Sequence, residues 1–202
     1  MDMEVKPEEV KYYKWIEPTL MVRKSMNNTI SYVLYNRISN FKINNNNIKL
    51  VAIDVSKYKS NYTDYTNEYR DDYVKYLQNL HPESYKLDAG FSAMIDAIRS
   101  KNENLIMIYK NFSLIGAVSY TINEKKKTIT IDHIGVIERQ NGYGTILMKE
   151  IFSLAKILEY SVTVTSNGGD SDDFYHSLGM LRLVDKPLGI YSIRADVLGA
   201  MT

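Results

Sequence analysis

No cysteine occurs anywhere in the 202 residues. Disulfides, thiolate metal sites and a cysteine nucleophile are therefore excluded. Long apolar runs are missing as well. The longest, such as Leu114-Ile115-Gly116-Ala117-Val118, is strand-sized and far short of the roughly 18 residues a membrane-spanning helix needs. Neither sign of charge prevails, because 25 Lys+Arg against 24 Asp+Glu leave a net +1. Such a chain has no overall field to draw it to nucleic acid or to an anionic membrane. Its first residues, Met1 to Glu9, are acidic and polar, where a secretory signal would be cationic and then apolar; a cytoplasmic protein is expected.

What is present suits a packed core. Apolar residues at 45% and charged residues at 24% argue against disorder and against collagen-like repeats. The length corresponds to one domain with about fifty residues to spare. Tyrosine and asparagine are both overused, at 17 each. The sharpest break in composition is Asn44-Asn45-Asn46-Asn47, four residues that favour turns. It marks the expected boundary between an N-terminal helical extension, 1–47, and a larger domain, 48–202. Upstream, Met26, Ile30, Val33, Leu34, Arg37, Ile38 and Phe41 step by three and four, predicting one helix with an apolar stripe. Tyr12, Tyr13, Trp15 and Ile16 precede it as an aromatic cluster. A stripe of that kind needs a surface to cover it, so the extension is expected to pack on its own domain or to support a homodimer.

Downstream the periodicity alternates between strand and helix. Ile48 to Val55 is β-branched and alternating. Tyr58, Tyr62, Tyr65, Tyr69, Tyr73 and Tyr76 recur at helical spacing, and a second helix carries Phe91, Met94, Ile95 and Ile98 on one face. Three strands, Leu105 to Lys110, Ser113 to Thr121 and Thr128 to Ile137, are joined by short polar links, which predicts an antiparallel meander. A helix bearing Ile146, Leu147, Ile151, Leu154, Ala155 and Leu158 follows. Then come a strand at Ser161 to Thr165, a helix near Ser171 to Leu178, and strands at Leu181 to Val184 and Ile190 to Arg194. The order predicts an α/β fold (α+β mixed sheet), with parallel and antiparallel pairing in one central sheet flanked by helices.

The chemistry concentrates after the meander, where a strand runs into Arg139-Gln140-Asn141-Gly142-Tyr143-Gly144-Thr145 and then a helix. Glycines there allow a tight turn and bare backbone N–H groups, and the helix start adds its positive dipole end, so the loop suits a phosphate or pyrophosphate. No Gly-Lys-Ser/Thr follows, so it is not a Walker loop, and it is not the dinucleotide Gly-x-Gly-x-x-Gly. A turn between a strand and a helix is the plain alternative.

Residues 134–147 resemble the acetyl-CoA-binding segment of the GCN5-related N-acetyltransferases, and Asp173-Phe174-Tyr175-His176-Ser177-Leu178-Gly179-Met180 resembles that family's second signature. The resemblance spans 48 to about 196. It implies an acetyl-CoA-dependent N-acetyltransferase that passes the acetyl group directly to a small-molecule or peptide amine in a ternary complex, with acetyl-CoA as cosubstrate and no metal. Backbone groups of Ile134 and Val136 would pair with the pantetheine arm, in a strand that bulges and splays from its neighbour. The N–H groups of Gln140, Asn141, Gly142, Tyr143, Gly144 and Thr145 would hold the pyrophosphate, with Arg139 beside them and Asn167 contacting the pantetheine.

By the same resemblance Tyr175 would protonate the leaving thiolate, against the alternative that it only fills the core. The base would come from the strand before the loop. Asp132 is in phase with Ile134 there unless a bulge brings His133 in; Glu138, a residue elsewhere or no dedicated base are the further alternatives. His176 carries no motif and reads as solvated. Tyr62, Tyr65 and Tyr69 could border the acceptor, or simply pack on the sheet. Asp71 and Asp72 could meet a cationic acceptor or form a solvated face, and Lys125-Lys126-Lys127 read as a soluble hairpin turn. The rival to an enzyme is an acyl-CoA-binding or interaction module on the same fold. An intact Arg139 to Gly144 loop together with Tyr175 favours the enzyme. Nucleic acid is disfavoured as a partner: residues 1–47 carry seven Lys+Arg against five Asp+Glu.

Overall fold

The computed structural model describes residues 37–43, 45–53, 60–80, 88–100, 103–184 and 188–200. The aromatic cluster at Tyr12 to Ile16, the first part of the expected N-terminal helix and Tyr58 lie outside them. The elements run β1 (Arg37–Ile43), β2 (Asn46–Ile53), α1 (Ser60–Leu80), α2 (Ala89–Arg99), β3 (Asn104–Lys110), β4 (Ser113–Asn123) and β5 (Thr128–Val136). After these come α3 (Tyr143–Leu158), β6 (Ser161–Ser166), α4 (Asp170–Ser177), β7 (Leu181–Val184), β8 (Gly189–Ile193) and α5 (Ala195–Ala200). All eight strands join one sheet in the order β1-β2-β3-β4-β5-β6-β8-β7. Every neighbouring pair is antiparallel except β5 with β6. No helix among the described residues is long and apolar enough to cross a membrane.

Residues 37–41, expected at the end of a helix, are strand. The expected boundary at Asn44 to Asn47 lies within the β1–β2 hairpin, which runs from Arg37↔Ala52 to Ile43↔Asn46. Asn45 takes the left-handed conformation, φ 64, which asparagine tolerates better than most residues. That turn folds the chain back along β2, and the ladder satisfies a backbone that Ser39 and Asn40, poor helix formers, do little to hold in a helix. The asparagines also tie two turns together. Asn111 donates its backbone N–H to the Asn47 carbonyl at 2.9 Å, and its side-chain oxygen accepts from Asn47 N–H at 2.9 Å. The β3–β4 link, Asn111-Phe112, has φ of 46 and 74, the positive pair that a two-residue hairpin turn requires.

Two cores sandwich the sheet. On one face Ile106 and Ile108 of β3 and Ile129 and Ile131 of β5 pack against Leu147, Met148, Ile151 and Ala155 of α3. On the other, Leu105, Met107 and Tyr109 of β3 meet Tyr73, Val74 and Leu77 of α1 and Phe91, Met94, Ile95 and Ile98 of α2. The central strand β3 is thus apolar on both sides, as burial on both faces demands. The tyrosine stripe lies on α1 as its spacing predicts: Tyr73 is buried, its hydroxyl 3.3 Å from that of Tyr109, and its ring stacks on Tyr76 at 6.3 Å. Arg70, fully buried, donates to the carbonyls of Ser100 and Glu103 and so clamps α1 onto the α2–β3 link. Asp88 caps α2, its carboxylate accepting from Gly90 N–H at 2.7 Å and Phe91 N–H at 3.2 Å. The short helix α5 had no counterpart in the sequence reading.

The backbone of α2 presses on the end of β5. A Cβ on Gly135 would fall 2.2 Å from Met94 N and 2.4 Å from Gly90 O, and one on Gly90 would fall 2.1 Å from Val136 O. Helix and strand can meet this closely only without those side chains. Gly135→Ala is expected to lower unfolding free energy by about 1–3 kcal/mol, the usual cost of overpacking, measured by urea denaturation. A midpoint equal to wild type would show that the contact yields freely.

Candidate active site

The cleft begins where two strands part company. Strand β5 pairs with β6 only from Thr128↔Ser161 to Ile131↔Val164. Beyond that point β5 stays with β4 as far as Val136, while β6 stays with β8 as far as Ser166. The cause is a bulge. Ser119 faces His133 but Tyr120 faces Ile131, so Asp132 is the extra residue that re-aims the strand. Before the bulge Ile129 and Ile131 face the α3 core; after it Ile134 and Val136 do. The edge of residues 132–136 turned away from β4 is left without a partner strand among the described residues. The opening between β5 and β6 has a volume of about 850 Å³.

Most of the residues singled out by sequence meet in this cleft. Asp132, His133, Ile134, Val136, Glu138, Arg139, Gln140, Gly142, Tyr143, Gly144, Asn167 and Tyr175 all line it. Asn141 and Thr145 belong to the same loop but do not form its wall. Gly142 sits at φ 78 and open space surrounds the position a Cβ would take; Gln140 is also left-handed, at φ 60. No side chain caps α3, so its first N–H groups remain available at the positive end of the helix. Arg139 stands at the mouth, 3.9 Å from Asp170 across it and exposed. Glu138, a candidate base, instead accepts a 2.7 Å hydrogen bond and ion pair from Lys110. That pair pins the loop to β3.

Asp132 and Tyr175 occupy the two walls. The Asp132 residue is open to the cleft, yet its carboxyl has lost much of its water, and this burial is the main reason it is pushed up to about 6. The negative charge of Glu103 pushes the same way, while a hydrogen bond with Thr121 and the neighbouring His133 pull down. Glu103 has a buried carboxylate oxygen, Oε2, without a hydrogen-bond partner among the described residues. Nothing in its sequence context marks Glu103, because its role depends on where β3 starts relative to the bulge. Tyr175 is 5% exposed, and burial pushes its phenol up to about 12. Its ring lies 5.3 Å from Phe174 and 5.5 Å from Tyr191. His176 is exposed as expected, but its ring meets Tyr191 edge-on at 5.0 Å. Among the described residues no group of acidic or histidine side chains is arranged to hold a metal ion.

Comparison with known proteins places this geometry. The chain is similar over part of its length to an N-acetyltransferase from Staphylococcus aureus Mu50, at 14% identity, covering 46% of this chain and 68% of that one with a TM-score of 0.40. Escherichia coli ElaA is 15% identical, with 72% and 98% covered and a TM-score of 0.44. A mutant AtaT toxin bound to the C-terminus of the antitoxin AtaR and acetyl-CoA is 12% identical, with 48% and 71% covered and a TM-score of 0.42. No curated protein matches the chain by sequence. The sequence profile of the Acetyltransferase (GNAT) family, however, matches residues 62–180. That span is more than half of the chain and holds the parted strands, the glycine loop and Tyr175, and the protein therefore belongs to the GNAT acetyltransferase family.

Proposed function

We propose that the protein is an acetyl-CoA-dependent N-acetyltransferase in which an amine, from a small molecule or a peptide, attacks directly within a ternary complex. The observation that carries this reading is the convergence of three features on one cleft. They are an unpaired strand edge at residues 132–136, an uncapped helix start behind Gly142, and a buried phenol at Tyr175. The residues present fit acetyl-CoA. The left-handed Gly142 leaves open space where any other residue would place a Cβ, so the backbone can approach a pyrophosphate closely. The unpaired edge at Ile134 and Val136 offers backbone groups to an extended, amide-bearing arm. Asn167 lies across the cleft from that edge. When bound, acetyl-CoA supplies a thioester carbonyl open to nucleophilic attack and a thiolate leaving group.

The chain's own residues then manage protons. An amine must shed a proton to become a nucleophile, and Asp132 is the group placed to receive it, directly or through water, at its carboxylate. A value of about 6 leaves that carboxylate largely ionised near neutral pH yet more basic than an ordinary aspartate, the compromise that general-base catalysis favours. On the opposite wall the Tyr175 phenol, at about 12, keeps its proton throughout the physiological range and offers it to developing negative charge on sulfur. His133 neighbours Asp132, and its positive form would lower that group's proton affinity.

Two outcomes are expected. Acetyl-CoA should raise the melting temperature by mass action in wild type and in Tyr175→Phe alike, while Tyr175→Phe lowers turnover by roughly a hundred- to ten-thousandfold, in the range that removing one proton-transfer group costs. Intact mass spectrometry of an amine panel incubated with acetyl-CoA reads the product. No thermal shift at millimolar acetyl-CoA would sink the proposal, and stabilisation without transfer to any amine would favour a binding module.

The pH dependence follows from the raised carboxyl. Folding disfavours ionised Asp132, so its contribution to stability is fully present below the unfolded value near 3.8 and is lost as pH rises through about 6. Asp132→Asn should therefore gain on wild type in urea midpoint between pH 4 and 7, and should lose the limb of kcat/KM that rises near pH 6. A midpoint difference that stays constant across that range would contradict the assignment.

A further inference from the structure

Helix α4 carries Tyr175 and meets the core through that residue and the half-buried Phe174 beside it. It is eight residues long, begins at Gly169 with no side-chain cap, and buries a single residue, Tyr175 itself. A helix so short and polar has no apolar stripe to fix its rotation. Its orientation must come from elsewhere.

The polar contacts of its first turn supply it. Of Asp170, Asp172 and Asp173, Asp172 is the one hydrogen-bonded into the sheet, whereas Asp170 meets only the exposed Arg139 at 3.9 Å among the described residues. One carboxylate oxygen accepts from the Ser166 hydroxyl at 2.6 Å, and Ser166 Oγ in turn accepts from Gly168 N–H at 3.1 Å. The other lies 3.3 Å from an Arg182 guanidinium nitrogen. The Arg182 guanidinium also sits 5.8 Å from the centre of the Tyr191 ring, whose hydroxyl lies 3.4 Å from Nε2 of His176 on the same helix as Asp172. One side chain of α4 is thereby bound to β6 and β7 directly, and through Arg182 to the Tyr191 ring of β8. Asp172 and Tyr175 are three residues apart and so share a helix face. The surface on which Tyr175 rests is the Tyr191 ring, 5.5 Å away and fully buried.

We propose that Asp172 is the positioning residue of the active site: through Ser166, Arg182 and Tyr191 it sets the rotation of α4 and so the placement of the Tyr175 hydroxyl in the cleft. The inference rests on the reading of Tyr175 as proton donor, but it concerns where the phenol is held and can be tested apart from turnover. The Ser166 hydrogen bond, first among several favourable contacts, holds the Asp172 carboxyl below the usual range, so the anchor stays ionised in working conditions. Asp170, one helical turn from Phe174 and 99% exposed in its side chain, provides a control in the same acidic turn.

The test is tyrosine NMR on the full chain, with the 17 tyrosine rings labelled with ¹³C and the Tyr175 signal assigned as the one missing from Tyr175→Phe. Asp172→Ala is expected to displace that signal more than other tyrosine signals outside the α4–β8 corner. Asp172→Asn, which keeps an acceptor for Ser166, should restore it most of the way, and Asp170→Ala should leave it in place. Ser166→Ala removes the shortest strut without touching α4 and should move the signal in the same direction by less, which covers the case where Asp172→Ala does not fold. A Tyr175 signal that stays at its wild-type position in both Asp172→Ala and Ser166→Ala overturns the proposal. Unchanged turnover in Tyr175→Phe would instead remove the proton-donor reading and leave the positioning result standing.

Discussion

One extra residue in β5 underlies the rest of the site. With Asp132 inserted between Ile131 and His133, the strand stops tracking β6 and follows β4 alone. A parallel pair that would otherwise continue through Val136 opens into a cleft, and backbone groups that would be locked in a ladder are left facing it. The parting is held from outside by the glycine contacts between α2 and β5, where the two backbones meet with no side chain between them. It is held from below by Lys110, which ties Glu138 of the following loop back to β3. The bulge at Asp132, the contact at Gly135 and the ion-paired Glu138 fall within seven consecutive residues. They act on the same hinge between strand and loop.

The near-neutral charge of the chain becomes intelligible against this frame. A net +1 gives no long-range attraction for a strongly anionic cosubstrate, and the proposed binding loop contributes a single flexible cation, Arg139, already 3.9 Å from Asp170. What remains is a fixed array of backbone N–H groups at the start of α3, together with the left-handed turns at Gln140 and Gly142. Fixed dipoles of this kind need no side-chain ordering when a phosphate arrives. They also select for close approach, since a Cβ at residue 142 would occupy the open space above the turn.

Much of this was legible in the residues and some was not, for physical reasons. Periodicity placed β2 to β6, β8 and the three long helices, because each buries one face or both and so carries the mark of its packing, whereas the exposed β7 and the short α4 were placed by the elements and motif around them. The glycine loop and the Phe174-Tyr175 pair were legible because their chemistry is local. Strand β1 was misread since Ile38 and Phe41 are spaced as in a helix, while the hairpin that claims them is decided by Asn45 and by β2. The location of the bulge could be named as an alternative but not decided, because register belongs to two strands at once. Glu103, Arg70, Lys110 and Asp172 left no trace in the sequence reading. Each acts on a partner between 6 and 33 residues away, and no short pattern encodes such a pairing.

The two titratable groups of the proposed reaction owe their values to the same force acting on different starting points. Loss of water penalises the charged form of each, raising both. For a carboxyl the rise ends near 6, where the group can still be ionised at neutral pH and yet accept a proton. For a phenol it ends near 12, where the group cannot lose its proton before the reaction demands it. A partly closed cleft therefore assigns base to one wall and acid to the other chiefly through burial, with Glu103 adding to the rise at Asp132, and the carboxylate with the strong partners, Asp172, is left to hold the acid in place.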